Sequence, residues 1–548
     1  MNANAARVEF GVDAGDDLPL TVPALLRARA AQRGDHPLLV CDDDVVSYTD
    51  ADARAAALAQ GLLGVGAGPG THIGLLQPNG SAFVVGWLAA ARIGAIAIPL
   101  STFSTGVELR DLLRNGDIEI LLTTTSFRGR DYVAALRDAV PELDFGAGPP
   151  LLASAMPALR RVAFDASAPG VASAWTTDAL VAAGAGVGRD RLANTEARVS
   201  PADRMVIVHT SGSTRAPKGV IHQHGPLIRH VDNLNALRRY TEDEVLFSNS
   251  PFFWIGGFAY GLLGTLLAGA TLICSNATDT AASLDLLERT RPTMVNGFAA
   301  SVASLAKDPT FSSRDLSSIR RGNLWPIMPA DVRPSDPELR HNMLGMTEAG
   351  SVCLATDDET DQPEHRRGSF GRPVPGFDAK VVDPDTGAIL AVGEVGELWL
   401  RSPFLMEGYY GREHHETFTP DGWYRTGDLF HVDSDGFFYF TGRRGDMIKT
   451  AGANVAPREV EAAIADITGL VAHVVGIDDP ERGQVVAAAV RVGRAQERPD
   501  IDALRAALRT RLSAYKVPQR YLVLADEEVP MLSSGKLDAR ALQEHFRD

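Results

Sequence analysis

A run of hydroxyl, glycine and lysine residues that directly follows an apolar stretch has the chemistry of a phosphate-binding loop. It reads His-Thr-Ser-Gly-Ser-Thr-Arg-Ala-Pro-Lys-Gly-Val over residues 209–220, after the apolar residues 206–208. Hydroxyls and backbone N–H groups in such a loop can surround a polyphosphate, because glycine lets neighbouring amides point inward. The residues placed to do so are Thr210, Ser211, Gly212, Ser213 and Thr214. The ammonium group of Lys218 adds positive charge, and the Walker pattern G-x4-G-K-[ST] occurs nowhere in the chain.

This loop resembles the signature of the adenylate-forming superfamily, which includes acyl-CoA synthetases, peptide-synthetase adenylation domains and luciferases. Four further motifs of that family follow in order: Gly-Met-Thr-Glu at 345–348, Tyr-Arg-Thr-Gly-Asp at 424–428, Gly-Arg-Arg-Gly-Asp-Met-Ile-Lys at 442–449 and Ser-Ser-Gly-Lys at 533–536. The resemblance extends over roughly residues 40–545. It implies that the protein uses ATP to convert a carboxylic acid into an acyl-adenylate.

The resemblance implies that the second motif binds the metal and the α-phosphate. Glu348 would hold Mg²⁺, a hard ion that prefers carboxylate and phosphate oxygens, and the Thr210 hydroxyl would assist it. Thr347 would donate a hydrogen bond to the α-phosphate, so Thr347 and Glu348 are predicted catalytic residues. Gly345 and Met346 complete this part of the predicted nucleotide site.

The third and fourth motifs imply contacts to the ribose. Asp428 has the acceptor oxygens to take both ribose hydroxyls, and Arg443 would support the ribose or a phosphate. The family's adenine contacts are not matched here. Leu344 stands where many members have Tyr, and residues 321–326 replace a Gly-Ala-Pro-like loop.

Lys536 follows a Ser-Ser-Gly turn close to the end of the chain, and the resemblance implies that it is the catalytic lysine of a mobile C-terminal domain. A carboxylate that attacks a triphosphate meets a like-charged partner, and a lysine touching both groups lowers this repulsion in the transition state. Residues 449–454 resemble the loop that forms the pantetheine tunnel of CoA ligases. Lys449 and Gly452 would belong to that tunnel, where glycine lets a thin chain pass close to the backbone.

The segment Pro-Phe-Phe-Trp-Ile-Gly-Gly at 251–257 resembles the motif beside the acyl pocket. Trp254 occupies the usual histidine position, where it either gates or floors the pocket or is a packed core residue. Gly256 and Gly257 are the predicted neighbours in the pocket wall. The aromatic residues favour a fatty, cyclic or aromatic acid over acetate.

Strand and helix patterns alternate in the first part of the chain, which indicates parallel-rich sheets covered by helices on both faces. The helices are predicted at 22–32, 51–63, 82–93 and 106–115, and the strands at 38–41, 45–48, 72–76, 95–99 and 118–123. The glycine run at 64–70 nearly spells a dinucleotide fingerprint, but a strand follows it instead of a helix.

Strands with Gly and Asp turns dominate residues 378–442 and predict a small β-barrel-like part. The last hundred residues predict a compact α+β unit, with helices at 457–466 and 501–512 and strands near 471–476 and 485–492. The expected fold class is therefore α/β: a large N-terminal domain of several subdomains, residues 1–443, and a small mobile C-terminal domain, residues 446–548. The family resemblance implies a hinge at 443–446 that turns between two half-reactions, with Gly445 as its pivot.

Composition excludes several classes. A net charge of −16 argues against a nucleic-acid partner, and three separated cysteines exclude a disulfide framework and suit the cytoplasm. No signal peptide is visible. Residues 252–274 carry no charge and are long enough to span a bilayer, but glycines interrupt them. We predict a buried loop, helix and strand there and no integral membrane segment, with peripheral membrane contact left open for a lipid substrate.

The expected reaction joins a small carboxylic acid to coenzyme A with MgATP, in a monomer or homodimer. One alternative keeps adenylation but passes the acyl group to a carrier-protein phosphopantetheine. A second alternative is a non-catalytic nucleotide-binding descendant of the family. The retained residues Lys218, Glu348, Asp428 and Lys536 argue against it. His222 and His224 form an incomplete metal set and are predicted to be structural, and hydrolase motifs are missing from the sequence.

Overall fold

The computed structural model describes residues 18–210, 217–443, 448–455, 457–493, 498–531 and 537–547. The α-helices in these ranges are α1 Val22–Arg33, α2 Tyr48–Gly64, α3 Ser81–Arg92, α4 Gly106–Asn115, α5 Tyr132–Ala139, α6 Thr177–Ala182, α7 Arg189–Glu196, α8 His224–Leu237, α9 Gly264–Ala268, α10 Thr280–Thr290, α11 Ala299–Ala306, α12 Pro457–Thr468, α13 Ile501–Arg511 and α14 Ala539–Glu544.

The strands in the same ranges are β1 Pro37–Cys41, β2 Asp44–Ser47, β3 His72–Leu76, β4 Ile96–Pro99, β5 Ile120–Thr123, β6 Ser126–Phe127, β7 Arg130–Asp131, β8 Arg161–Phe164, β9 Arg204–Thr210, β10 Lys218–Gln223, β11 Val245–Ser248, β12 Thr271–Cys274, β13 Met294–Asn296, β14 Arg321–Gly322, β15 Leu344–Met346, β16 Ser351–Ala355, β17 Arg372–Pro373, β18 Asp378–Val382, β19 Gly396–Arg401, β20 Gly408–Tyr409, β21 Tyr424–Val432, β22 Phe438–Arg443, β23 Ile448–Thr450, β24 Ala453–Val455, β25 Ala472–Asp479, β26 Gly483–Val492 and β27 Arg520–Ala525.

Two large sheets build the N-terminal part. One has the order β20-β10-β9-β4-β3-β5-β8 and the other β14-β13-β11-β12-β1-β2. Their central pairs are parallel, for example β3 with β4 and β11 with β12, whereas β2 and β10 pair antiparallel with their neighbours. The parallel-rich sheets predicted from strand–helix alternation are thereby confirmed.

Helices cover both faces of each sheet, and the largest hydrophobic core is shared between the sheets. That core joins α1, α2, α3 and α8 to β3 and β12. All five residues of β3 are buried, as expected for a parallel strand covered on both sides. Separate cores lie on the outer faces, against α4 and α5 on one sheet and α10 and α11 on the other.

Two small antiparallel sheets occupy the place of the predicted barrel-like part. Their orders are β15-β16-β17 and β18-β19-β21-β22. They share one hydrophobic core, and an isolated bridge joins Ser369, in the segment before β17, to Tyr439 of β22. This part of the chain carries two of the motifs singled out above, at 345–348 and 424–428.

The C-terminal part has its own core. Strands β24, β23, β26, β25 and β27 form one sheet, with α12 and α13 on one face and α14 on the other. The predicted helices and strands of this unit are confirmed. The domain boundary stays a prediction, because residues 444–447 lie outside the described ranges.

Residues 252–274 form a buried π-helical segment, Gly256–Leu263, followed by α9 and β12. Within the ranges that the structure describes, no helix has the length and apolar character needed to cross a bilayer.

Candidate active site

A cavity of about 520 Å³ lies where the N-terminal sheets, the small antiparallel sheets and the C-terminal part meet. Residues that the motifs predicted for the site line it: Thr210, Lys218, Trp254, Gly256, Gly345, Met346, Thr347, Glu348, Asp428, Lys449 and Gly452. Its size is that of a small-molecule site. Four of the five motifs, all but the one at 533–536, contribute described residues to this cavity. They are far apart in sequence, so their convergence is a property of the fold.

The described ends of the phosphate-binding loop lie side by side at this cavity. Thr210 ends β9 and Lys218 begins β10, and the two residues are directly paired in the antiparallel ladder. The Lys218 ammonium lies 4.9 Å from the centre of the Tyr409 ring, close enough for a cation–π contact. Ser211, Gly212, Ser213 and Thr214 lie outside the described residues.

Glu348 is held by a tyrosine pair. Its Oε1 accepts a hydrogen bond from the Tyr409 hydroxyl at 2.9 Å, and the Tyr409 and Tyr424 hydroxyls are 3.1 Å apart. Burial and the Glu348 carboxylate raise the pKa of Tyr409, so its hydroxyl keeps the proton that it donates. The bond orients the carboxylate in the cavity wall.

Thr347 is positioned by a buried histidine. His222 Nε2 donates to the Thr347 carbonyl oxygen at 2.7 Å. Burial lowers the pKa of His222 to about 4, so the ring is neutral at physiological pH. This contact, and the bond that His224 Nδ1 accepts from the Val22 N–H at 3.3 Å, give both histidines structural partners, as predicted. No cluster of three or more His, Cys, Asp or Glu residues suited to a metal occurs in the described part of the chain.

Asp428 is a buried residue of the cavity wall. It is 3% exposed and follows a turn in which Gly427 has φ +72°. Two contacts hold that turn: Gly427 N–H donates to Glu397 Oε1 at 3.0 Å, and the Thr426 hydroxyl accepts from the Asp428 N–H at 3.0 Å. Arg443, at the end of β22, pairs with Asp428 across the ladder through its backbone.

Aromatic rings form part of the cavity wall. Trp254 makes edge contacts with Phe298 at 5.5 Å, with Phe253 at 5.5 Å and with Phe103 at 6.2 Å between ring centres. It is half-buried and lines the cavity. Trp254 is therefore part of the wall and not a fully packed core residue.

Two neighbouring glycines shape this wall in different ways. A Cβ on Gly257 would lie 2.1 Å from the Pro251 carbonyl oxygen, so glycine is required there by packing. Gly256 has open space around its Cβ position and opens the wall of the cavity. Both belong to the π-helical segment, a geometry that occurs frequently at functional sites.

The C-terminal part enters the cavity through the β23–β24 hairpin. Ala451 and Gly452 have φ +47° and +84°, the pattern of a type I′ turn. A Cβ on Gly452 would lie 2.2 Å from the Phe298 ring, so the turn packs its backbone against the aromatic wall. Lys449, on the same hairpin, lies 5.0 Å from the centre of the Phe440 ring.

Lys536, the predicted catalytic lysine, lies outside the described residues. Among the residues that are described after Lys516, none lines the cavity. In this arrangement the C-terminal part therefore contributes its hairpin and the residues Ser513, Tyr515 and Lys516 to the site.

Several residues of the site were missed by sequence reasoning. Tyr409 and Phe298 belong to none of the motifs, and Glu397 lies in a strand whose sequence pattern does not distinguish it from other strands. The Thr-x-x-Glu pattern at Thr105 and Glu108 is a capping-box signal, and it does cap α4. No sequence pattern indicates that Glu108 also faces the C-terminal part.

Comparison with known proteins places the chain in a family. A family model described as AMP-binding enzyme matches residues 26–410, and one described as AMP-binding enzyme C-terminal domain matches residues 459–536. The chain belongs to the AMP-binding enzyme family, and the predicted membership of the adenylate-forming superfamily is confirmed.

Among its relatives is a feruloyl-CoA synthase from Amycolatopsis sp, 33% identical over 501 residues, which are 90% of this chain and 92% of the relative. Another is a mitochondrial medium-chain acyl-CoA ligase, ACSF2, from Bos taurus, 29% identical over 549 residues, or 96% of this chain and 87% of the relative. The structure of o-succinylbenzoate CoA synthetase (MenE) from Bacillus subtilis superposes with a TM-score of 0.74 at 22% identity, covering 95% of this chain and 98% of that one. That structure has the same fold.

Proposed function

We propose that the protein is an ATP-dependent acyl-CoA synthetase that acts on a fatty, cyclic or aromatic carboxylic acid. The observation that carries this proposal is the convergence in one cavity of Lys218, Glu348, Asp428, an aromatic wall and the Gly452 turn. The named activities of the relatives, feruloyl-CoA synthase and medium-chain acyl-CoA ligase, support it.

In the first half-reaction, a carboxylate oxygen of the acid attacks the α-phosphorus of ATP. The bond between the α-phosphorus and the bridging oxygen breaks, and pyrophosphate leaves. Asp428 would accept hydrogen bonds from the ribose hydroxyls, while Lys218 and Thr347 would bind phosphate oxygens. Lys536 would reduce the repulsion between the two anions as they meet.

The residues present suit Mg²⁺. The Glu348 carboxylate and the Thr210 hydroxyl are oxygen donors at the cavity, and Mg²⁺ binds through one or two carboxylates with substrate phosphates and water supplying its other ligands. When bound, Mg²⁺ would neutralise developing charge on the phosphate oxygens. The tyrosine pair would keep the Glu348 carboxylate turned towards it.

In the second half-reaction, the thiol sulfur of CoA attacks the acyl carbon of the adenylate. The acyl–oxygen bond breaks, AMP leaves, and the thiol proton passes to solvent. The Gly452 turn would border the path of the pantetheine arm, because Gly452 has no side chain and its backbone lies directly against the Phe298 ring.

The test is an assay of pyrophosphate and AMP release over a panel of acids, with and without CoA. The proposal predicts acid-dependent pyrophosphate release and AMP release that requires CoA. Release of AMP only with a phosphopantetheinylated carrier protein would favour the carrier-loading alternative. No pyrophosphate release with any acid would contradict adenylation.

A further inference from the structure

A buried ion-pair cluster joins the two parts of the molecule beside the cavity. Lys516, in the C-terminal part, is 6% exposed. Its ammonium donates to Glu108 Oε1 at 2.8 Å and to Glu459 Oε1 at 2.9 Å. Glu459 lies on α12 of the same part, whereas Glu108 lies on α4 of the N-terminal part. Lys516 is thus shared by Glu459, a carboxylate of its own part, and Glu108, a carboxylate of the N-terminal part.

Further bonds converge on Glu108 from the C-terminal side. The Ser513 hydroxyl donates to Glu108 Oε2 at 2.5 Å, and the Ser513 N–H donates to Oε1 at 3.2 Å. Next to them the Thr105 hydroxyl donates to the Arg511 carbonyl oxygen at 3.3 Å. These contacts cross between the two parts, and the two bonds to the Glu108 carboxylate are charge-assisted and therefore stronger than neutral ones.

The contact between the two parts can break without leaving a buried charge unpaired. Lys516 and Glu459 remain paired if the C-terminal part turns away, because both belong to it. Glu108 keeps its place in the capping box of α4, where it accepts a bond from the Thr105 N–H at 2.8 Å and lies at the positive end of the helix dipole. Either state therefore satisfies its charges, which a reversible contact requires.

The charge states agree with this arrangement. Burial opposes ionisation of Glu108, but Lys516, Ser513 and Thr105 outweigh it and lower the pKa of that carboxyl. Burial alone would lower the pKa of Lys516, yet Tyr515 and the two carboxylates raise it above its usual value. Burial raises the pKa of Glu459. In the Glu108–Lys516 pair, which crosses between the two parts, the pKa values of both groups are shifted in favour of the ionised form.

We infer that Glu108 is a positioning residue that stabilises, through Lys516 and Ser513, the orientation in which the Gly452 turn enters the cavity. A contact made in only one of two orientations shifts the population towards that orientation. This inference rests on the proposed function, because the Gly452 orientation is the one assigned to thioester formation. Glu108 lines the cavity, and the role inferred for it is exerted through the position of the C-terminal part.

The test compares the two half-reactions in a Glu108→Gln variant. Thioester formation from supplied acyl-AMP and CoA should fall about tenfold, as expected when one charge-assisted contact of a two-state equilibrium is lost. Pyrophosphate release in the first half-reaction should not be slowed. Equal loss in both half-reactions, or no loss in thioester formation, would overturn the inference.

Two control variants separate the crossing contact from general stability. Glu459→Gln leaves the bond of Lys516 to Glu108 but removes the partner of Lys516 in the other orientation, so the ratio of thioester formation to adenylation should not fall. Lys307→Met removes an exposed pair with Glu481, 3.3 Å long, that also crosses between the parts. Exposed pairs contribute little, so this variant should leave the ratio unchanged. A ratio that shifts equally in all three variants would overturn the assignment to Glu108.

A second measurement does not depend on the activity. The substitutions Val107→Cys, beside Glu108, and Arg511→Cys introduce one cysteine on each side of the contact, and a short bismaleimide can join them. The native Cys41, Cys274 and Cys353 are buried, so they should not compete for the reagent. Adding Glu108→Gln should lower the rate of crosslinking, whereas adding Glu459→Gln should not. Unchanged crosslinking would overturn the inference even if the protein is a CoA ligase, and a lowered rate would support it even if the acceptor is not CoA.

Discussion

At the scale of single residues, the site depends on side chains that hold other side chains. The Tyr409 hydroxyl orients Glu348, its ring contacts Lys218, and His222 holds the carbonyl of Thr347. These supporting contacts are local consequences of packing between β10, β20 and the small antiparallel sheets. They fix the orientation in which motif residues from distant parts of the sequence line one cavity.

Tyr409→Phe should raise the KM for MgATP about fivefold to tenfold, because Glu348 loses a hydrogen bond of the charge-assisted kind while the ring over Lys218 remains. Steady-state kinetics at varied MgATP measure this. The neighbouring Tyr410 donates to Asp117 on the surface at 2.8 Å, so Tyr410→Phe should leave the KM unchanged. An equal rise in both variants would show that the effect is not carried by Glu348.

Lys536→Ala should slow adenylation by about 10²–10³-fold, the scale for losing one preorganised electrostatic donor. It should largely spare thioester formation from supplied acyl-AMP. Stopped-flow or quench measurements of the separate half-reactions test this. Loss of both steps to the same extent would reject the role assigned to Lys536.

At the scale of elements, the β23–β24 hairpin has the clearest functional consequence. Gly452 has φ +84° and faces Phe298 at a distance that excludes a side chain. Gly452→Val should therefore impair thioester formation while pyrophosphate release persists. Coupled assays for the two products measure the two steps.

A matched glycine controls for backbone strain. Gly436 has φ +82° but open space around its Cβ position, so Gly436→Val carries the conformational strain without the clash against Phe298. Its ratio of thioester formation to pyrophosphate release should equal that of the wild type. If Gly452→Val left the thioester yield unchanged, the hairpin would not border the pantetheine path.

Most elements of the N-terminal sheets could be predicted from the sequence, since buried parallel strands and amphipathic helices have strong local patterns. The strand at 72–76 and the helix at 106–115 were predicted with the observed bounds. The β23–β24 hairpin was predicted only as a loop, because its strands have three residues each and depend on β26 for pairing. Glu108 and Phe298 could not be assigned to the site, because their roles arise from contacts between distant parts of the chain.

At the scale of the whole molecule, buried histidines make stability depend on pH. Burial lowers the pKa of His222 and His224 to about 4 and that of His230 to about 3, below the value near 6.5 of an unfolded chain. The unfolded state therefore binds more protons between these values, and the free energy of unfolding falls as pH drops from about 6.5 towards 4, by about 1.4 kcal/mol per pH unit for each histidine. The raised pKa values of Asp232 and Glu459 act in the opposite direction but involve fewer groups.

Denaturant unfolding at pH 7.5 and 5.5, with proton uptake measured at pH 5.5, tests this expectation. Unfolding at pH 5.5 should take up protons and require less denaturant. The exposed His415 provides a control, since His415→Ala should not change the proton uptake. Unfolding without proton uptake at pH 5.5 would contradict the account of the histidines.

Adenylation requires that a carboxylate oxygen of the acid attack the α-phosphorus of ATP. This attack can be followed by supplying an accepted acid labelled with ¹⁸O in its carboxylate, together with MgATP and CoA, and locating the label by mass spectrometry. Attack by the carboxylate should leave one ¹⁸O atom in each AMP released, one in the acyl-CoA and none in pyrophosphate. Label in orthophosphate or pyrophosphate, or unlabelled AMP accompanying acyl-CoA formation, would contradict it.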